Sequence, residues 1–293
     1  MRAGGLSNIV QSLSEFTECV QTHRGNWPHH AHKELWFRGE SHSYQKDGTH
    51  LHPVLYRPKK NMGLRPVNDL VKKESILYDD FKRCAVQLSD GKAESEDWDW
   101  DAYFLMRHHS APTRLLDWSD GSLISLHFAI QRRDEDDVTD AIVYVLEPDL
   151  LKDALDRLPA TTANKFAWKQ YAKTHKAEGV SEDDYAQSYL PAEKAVRARL
   201  PLPGPPMVLD FPHITRRVAA QRSRFVVFGS DPNWLASRFG KSADLPIKAI
   251  VIDGKFKQTI RHQLRDSGIT ESVIYPDLDG LGREMLQIFW EWR

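Results

Sequence analysis

The chain has 293 residues and a mass of 33.7 kDa, with 41% hydrophobic and 28% charged residues; this is ordinary globular usage, long enough to bury a substantial core, and it excludes a disordered or fibrous protein. Forty Lys and Arg against 41 Asp and Glu give a formal net charge of -1, which excludes the global basic excess of a DNA-coating protein. Cys19 and Cys84 lie far apart with no Cys-x-x-Cys, which excludes a zinc ribbon or a disulfide framework and points to reducing, cytoplasmic surroundings, and no run nears the ~20 apolar residues of a membrane span.

Ile9, Val10, Leu13, Phe16 and Val20 recur at helical spacing and predict an opening helix over Leu6 to Val20 with Ser7 as its cap. Gly25 to His32 breaks that pattern, and Glu34 to Glu40 reads as a short strand whose one face carries Trp36, Arg38 and Glu40. Pro53 makes Leu51 to Arg57 irregular, and Val67 to Leu88 is a long amphipathic helix with Leu70, Ile76, Leu77, Phe81 and Val86 on its apolar side. Acidic residues from Glu94 to Asp101 start a second helix that runs into Tyr103 to Met106.

His108 to Ser119 reads as a polar turn pinned by Pro112, ahead of an apolar helix from Leu123 to Ile130. Ala141 to Leu146 is a β-branched buried strand, and Pro148 with Asp149 caps the next helix. Residues 159–206, polar, helical in places and rich in proline toward their end, read as an insertion or irregular excursion over the surface. Strands follow at Met207 to Phe211, Arg224 to Phe228 and Ile247 to Ile252, with helices at Ile214 to Gln221, Phe256 to Leu264 and Leu278 to Trp292. No internal repeat interrupts this order. The expected class is α+β, a mixed sheet flanked by helices in a single domain over 1–293: an N-terminal helix and lead-in over 1–30, and C-terminal strand and helices packed on the core over 245–293.

Five separated motifs stand out: WFRGE (Trp36 to Glu40), LHPVLYR ending at Arg57, APTRLLDWS (Ala111 to Ser119) with the LISLHFA after it, RRVAAQRSRFVVF (Arg216 to Phe228) and YPDLDGL (Tyr275 to Leu281). In this order they resemble the FRG domain, named for a Phe-Arg-Gly that here is Phe37, Arg38 and Gly39. The chain departs from the family where it has Ser110 after His109, a place where the family usually shows a glycine, and where Gln221 to Phe225 replaces the usual Gln-x-Gly-x-Phe.

Side-chain chemistry marks a nucleotide-sized cleft. The Arg38 guanidinium offers a planar fork for a phosphate or carboxylate; the competing reading is a buried ion pair, with Asp117 as one partner. Thr113, Arg114 and Asp117 cluster near Pro112, where they would receive an anion, or Asp117 would cap the helix or clamp Arg114. Arg57 and His108 join this set, and the Gln221 amide, ahead of a strand that carries Phe225, would reach a ribose hydroxyl or a base edge.

The histidines His29, His30, His32, His50 and His52 lack metal-ligand spacing, so no metal is expected. Arg197, Arg199, Arg216, Arg217, Arg222 and Arg224 would track nucleic-acid phosphates or form a solvated face.

The order of Arg38, Thr113 and Gln221 is similar to that in the Arg-Ser-Glu class of ADP-ribosyltransferases. That resemblance implies an ADP-ribosyltransferase-like fold and NAD as the substrate nucleotide. It implies Arg38, Glu40, Thr113 and Gln221 as the catalytic set, and Arg38, Arg57, His108, Thr113, Arg114, Asp117 and Phe225 as the residues that hold NAD. Its acceptor would be RNA, DNA or a protein, with the protein acting as a prokaryotic toxin or defence effector and no membrane involved. Gln221 stands where that class has Glu, and a neutral amide supplies no negative charge to an oxocarbenium-like transition state, so Glu40 is the substitute. The alternative is a nucleotide- or nucleic-acid-binding module without chemistry.

Overall fold

A computed structural model describes residues 9–26, 34–41, 44, 47–58, 65–88, 98–131, 138–158, 165–182, 184–191, 201–209, 216–239 and 246–291. Its elements in chain order are β1 (Ile9–Val10), α1 (Leu13–Asn26), β2 (Trp36–Ser41), a 3-10 turn (Val54–Tyr56), α2 (Val67–Leu88), α3 (Trp98–His108), β3 (Leu115–Ser119), α4 (Ser122–Ile130), β4 (Ala141–Leu146), α5 (Pro148–Asp156), α6 (Lys165–Thr174) and α7 (Asp184–Gln187). There follow β5 (Met207–Leu209), α8 (Arg216–Ala220), β6 (Ser223–Val227), α9 (Trp234–Arg238), β7 (Ile247–Ile252), α10 (Lys257–Asp266), α11 (Glu271–Ile274) and α12 (Leu278–Glu291). The fold is α+β, a seven-stranded mixed sheet in the order β1-β7-β4-β2-β3-β6-β5 with helices on its faces. Among the described residues no helix is long and apolar enough to cross a membrane.

β4 lies near the centre because nothing in it needs water: all six residues of Ala-Ile-Val-Tyr-Val-Leu are buried, and it pairs antiparallel with β2 on one side and β7 on the other. Alternate residues feed opposite faces. Phe37, Val143, Val145 and Ile252 pack with Leu126 and Ile130 of α4 and Ile260 and Leu264 of α10. Trp36, Ile142, Tyr144 and Leu146 pack on the other side with Leu55, Tyr56, Trp234 and Leu235. A third cluster joins Leu115, Phe225 and Val227 to Tyr78 of α2, Tyr103 and Met106 of α3, and Tyr189.

The structure corrects the sequence reading in four places. Ile9 and Val10 form a strand paired parallel with Val251 and Ile252 rather than a helical turn, because the β7 edge offers their backbone a ladder; Ser7 lies outside the described residues. Leu115–Ser119 is a strand and not part of a turn, paired over five residues with β6. The α2 limits agree, but its inward face carries Glu74, Tyr78 and Ala85, whereas Ile76 and Leu77 are exposed. The α5 cap is Glu147, whose carboxylate accepts from the amides of Asp149 (3.1 Å) and Leu150 (3.0 Å), with Pro148 in the first turn. Within the expected insertion, Lys165–Thr174 is helical and buries Trp168 and Ala172.

One junction decides where the site sits. β2 pairs with β4 over six residues but with β3 only at Phe37↔Ser119, so the sheet parts beyond that pair. The Arg38 guanidinium bridges the parting, donating from Nη1 to the Asp117 carbonyl at 2.7 Å. A strand bond is replaced there by a side chain, and the opening lies between the α4 and α3 sides of the sheet.

Candidate functional site

The parting of β2 and β3 opens a cavity of about 430 Å³, within the range of small-molecule sites. It brings together Arg38, Glu40, Arg57, His108, Asp117, Gln221 and Phe225, residues drawn from three strands, one helix end and two turns that are up to 187 positions apart (38 to 225). Among the lining side chains that sequence reasoning did not place there are Tyr44, Arg107, Arg217 and Tyr275. Of these, Arg217 and Tyr275 lie in quoted motifs, so the signal was present, whereas Arg107 precedes its motif and sits at the end of α3.

Thr113 and Arg114 are not in the cleft. Thr113 is fully buried, with its hydroxyl accepting from the Leu115 amide at 3.3 Å. Arg114 is 1% exposed and pairs with Glu74 at 2.5 Å, while Nη1 reaches the Phe228 carbonyl at 3.1 Å. The strand at Leu115 is the reason: it draws Arg114 inward against α2, away from Asp117. The Arg38, Thr113, Gln221 grouping therefore does not assemble around one cavity.

Within the cleft the carboxylates are already engaged. Glu40 Oε1 accepts from Arg38 Nε at 2.7 Å and Arg57 Nη2 at 2.8 Å, and Oε2 accepts from the Leu51 amide at 3.1 Å. With its side chain 1% exposed, Glu40 organises two guanidinium groups and has no face toward a ligand. Asp117 is held by Arg107, whose Nε donates to both carboxylate oxygens at 2.8 and 2.9 Å and whose Nη2 also contacts Oδ2. Burial works against its charge, but Arg107, with Arg38 and Arg57 beyond, keeps its carboxyl below the usual carboxylate range. Unlike Glu40, its side chain remains 36% exposed.

Four guanidinium groups and two carboxylates line the cavity, which leaves an excess of positive charge. The Arg57 guanidinium lies 4.1 Å from the centre of the Tyr44 ring, and the Arg217 guanidinium 4.5 Å from that of Tyr275. On both arginines the Nε atom is buried and has no hydrogen-bond partner among the described residues. Tyr275 also carries Arg283 at 4.5 Å, and Arg283 is fixed by Glu271 at 3.2 Å. The Gln221 amide reaches the Ile274 carbonyl at 3.4 Å, and its backbone carbonyl accepts from Ser119 Oγ at 2.8 Å. Gln221 thus pins the end of α8 and the end of α11, just before Tyr275, to the cleft edge.

The α3 helix ends beside the cleft. The Ser110 amide bonds the Arg107 carbonyl at 2.9 Å and the Ala111 amide that of Met106 at 3.1 Å, a Schellman closure with Ser110 at φ 65°. That left-handed residue is where the resemblance expects glycine, and the geometry explains the preference.

His108 precedes this closure. Burial, then the nearby Arg217 and His109, lower its pKa to about 4, against a smaller pull from Asp117. His50, His52 and His109 are shifted in the same direction, mainly by burial. The unfolded chain therefore binds more protons than the folded one between these lowered values and about 6.5, so stability falls as pH drops through that window. Thermal melts from pH 7 to pH 4 should show a falling midpoint, and His108→Gln should flatten the decline. An unchanged slope in that variant would remove His108 from the account.

The basic run divides. Arg222 pairs with Asp120, and Arg224 with Glu34 at 2.6 Å and Asp120 at 2.7 Å. Arg197 and Arg199 and the Arg216 side chain lie outside the described residues, as do His29, His30, His32 and Trp292. Among the described residues no group of three His, Cys, Asp or Glu side chains is placed to hold a metal ion.

The family model of the FRG domain matches residues 33–138, a span that holds β2, the Val54–Tyr56 turn, α2, α3, β3 and α4. No curated protein and no solved structure matches the chain. The matched span supplies Arg38, Glu40, Arg57, Arg107, His108 and Asp117, and the later chain adds Arg217, Gln221, Phe225 and Tyr275 to the same cavity. Residues 33–138 of this protein are an FRG domain.

Proposed function

We propose that the cleft binds a phosphorylated nucleotide, with NAD as the ligand. The observation that carries this reading is the pair of arginines, Arg57 and Arg217, whose buried Nε donors are unpartnered in a cavity with an excess of positive charge. A buried N–H donor without an acceptor is costly, and a phosphate oxygen supplies an acceptor that carries negative charge. Tyr44, Phe128, Phe225 and Tyr275 give the same cavity aromatic surfaces for a base.

A second reading, NAD cleavage or ADP-ribosyl transfer to a nucleic acid or protein acceptor, is favoured by one observation. Asp117 offers an ionised, partly open carboxylate in the cavity that holds Arg38 and Gln221, where Glu40 is enclosed by its own ion pairs. In that reaction Arg38 and Arg107 are positioning residues, and Asp117 is the charge that faces the ribose.

The protein should bind NAD saturably in titration calorimetry, with affinity that weakens as salt is raised, since the contacts are between charges. Failure to bind NAD at millimolar concentration sinks the reading. Parallel incubation with NAD labelled in the nicotinamide separates the two alternatives. Release that Asp117→Asn abolishes marks an enzyme, and binding without release marks a recognition module.

A further inference from the structure

The C-terminal helix α12 (Leu278–Glu291) has two faces of different character. Gly280 is buried, and a Cβ there would meet the Tyr275 carbonyl oxygen at 2.0 Å; the Glu284 carboxylate accepts from the Ser272 amide at 2.8 Å; and Ile288 is half-buried. These residues, four apart, seat the helix on the protein. At 100° per residue, Leu278, Leu281, Gly282, Met285 and Leu286 share another side within an arc of about 140°, and Phe289 extends the row. Leu278 is 85% and Met285 60% exposed, and Leu281 and Leu286 are exposed as well. Those four side chains present roughly 400 Å² of apolar surface, the scale of an interaction site and about half of what each partner gives to a standard interface. A Cβ at Gly282 would meet no atom within 4 Å, so the middle of this face is open backbone.

We propose that this face is a two-fold interface between two copies of this chain, with their α12 helices packed antiparallel across Gly282. Leu278 and Leu286 each stand four residues from Gly282, so a two-fold axis there sets Leu278 of either copy against Leu286 of the other. The missing side chain at Gly282 lets the two backbones approach closely, which accounts for a residue that otherwise weakens an exposed helix. Asp279 and Arg283, of opposite charge, lie on one rim of the face, about 40° apart around the helix axis. In an antiparallel pair like rims meet, so Asp279 of each copy comes to Arg283 of the other. Arg283 is held for this by Glu271 and the Tyr275 ring while its side chain stays half-exposed. Such rim charges select the orientation of a pair more than they add affinity. Because Tyr275 also lines the cleft, the interface would border the candidate site.

The test is sedimentation velocity of the full chain across about 1 to 100 μM, where interfaces of this size begin to associate. A species of twice the 33.7 kDa chain mass should form as the concentration rises. Met285→Glu brings a carboxylate from each copy into the contact and should weaken association at least about a hundredfold. Its circular dichroism should stay unchanged, because the single copy leaves Met285 exposed. Gly282→Leu separates a fitted interface from general stickiness. The added Cβ has open space in the single copy and the new residue favours helix, so a merely adhesive apolar face would associate more strongly. A close antiparallel pair should instead lose its dimer. A single monomeric species throughout, a dimer that survives Met285→Glu, or one that Gly282→Leu strengthens would each overturn the proposal.

Discussion

Replacing Glu74 with alanine should lower the unfolding free energy by about 4 kcal/mol, the scale of leaving one partner of a buried ion pair alone. Glu74 is fully buried on α2, and its two oxygens accept from Arg114 Nε at 2.5 Å, the Arg114 amide at 2.7 Å and the Tyr103 hydroxyl. Without it, Arg114 stays in the core with a guanidinium that has lost its counter-charge, and only the Phe228 and Tyr189 carbonyls remain as acceptors. The loss is larger than that of a surface pair, which contributes about 1 kcal/mol or less, because no water replaces the missing carboxylate. Glu74→Gln restores an acceptor without the charge and should fall between the two. Urea unfolding of the three proteins checks the order, and a Glu74→Ala loss below about 1 kcal/mol would mean that the pair is not structurally important.

Gly39→Ala is expected to cost about 3 kcal/mol or more, near the upper end of overpacking effects. The added Cβ would lie 2.0 Å from the Ser125 carbonyl oxygen and 2.5 Å from the Ala129 amide nitrogen, both backbone atoms of α4. A side chain can rotate away from such a clash, but a helix must move as a body. The third letter of the Phe-Arg-Gly signature is thus a packing requirement: it lets α4 lie directly on β2. Because Ser125 and Phe128 of α4 also line the cavity, the shift should weaken ligand binding along with stability. A variant with an unchanged denaturation midpoint and full nucleotide affinity would show that α4 tolerates the displacement.

The fate of the other signature residues shows what pattern reading can reach. Arg38 and Glu40 were expected on one face of a strand, and they lie there, bonded to each other at 2.7 Å. Arg114 and Asp117 were expected together in a turn, yet the chain enters a strand at Leu115 and sends them apart: Arg114 goes to Glu74, 40 positions earlier, and Asp117, within the strand, goes to Arg107. Two features hid that strand. It is only five residues long with an aspartate in the middle, and its pairing partner β6 lies more than a hundred positions away. Arg107 was hidden by its context, since a cation in the last turn of a helix is ordinary and only the fold turns it toward Asp117.

Taken by itself, the sequence determined the α+β class, most element limits and the FRG signature, because β-branched runs, helical spacing and proline or glycine breaks act locally. The tertiary structure alone decided which polar residues share a cavity. Glu40 and Asp117 became occupied acceptors, Arg114 became a core cation, and Arg57 and Arg217 each kept a buried Nε without a hydrogen-bond partner among the described residues. The physical reason is that an ion pair is chosen by distance in space after the sheet has formed. Where β2 and β3 part, the pairings that remain are those the packed helices bring within reach.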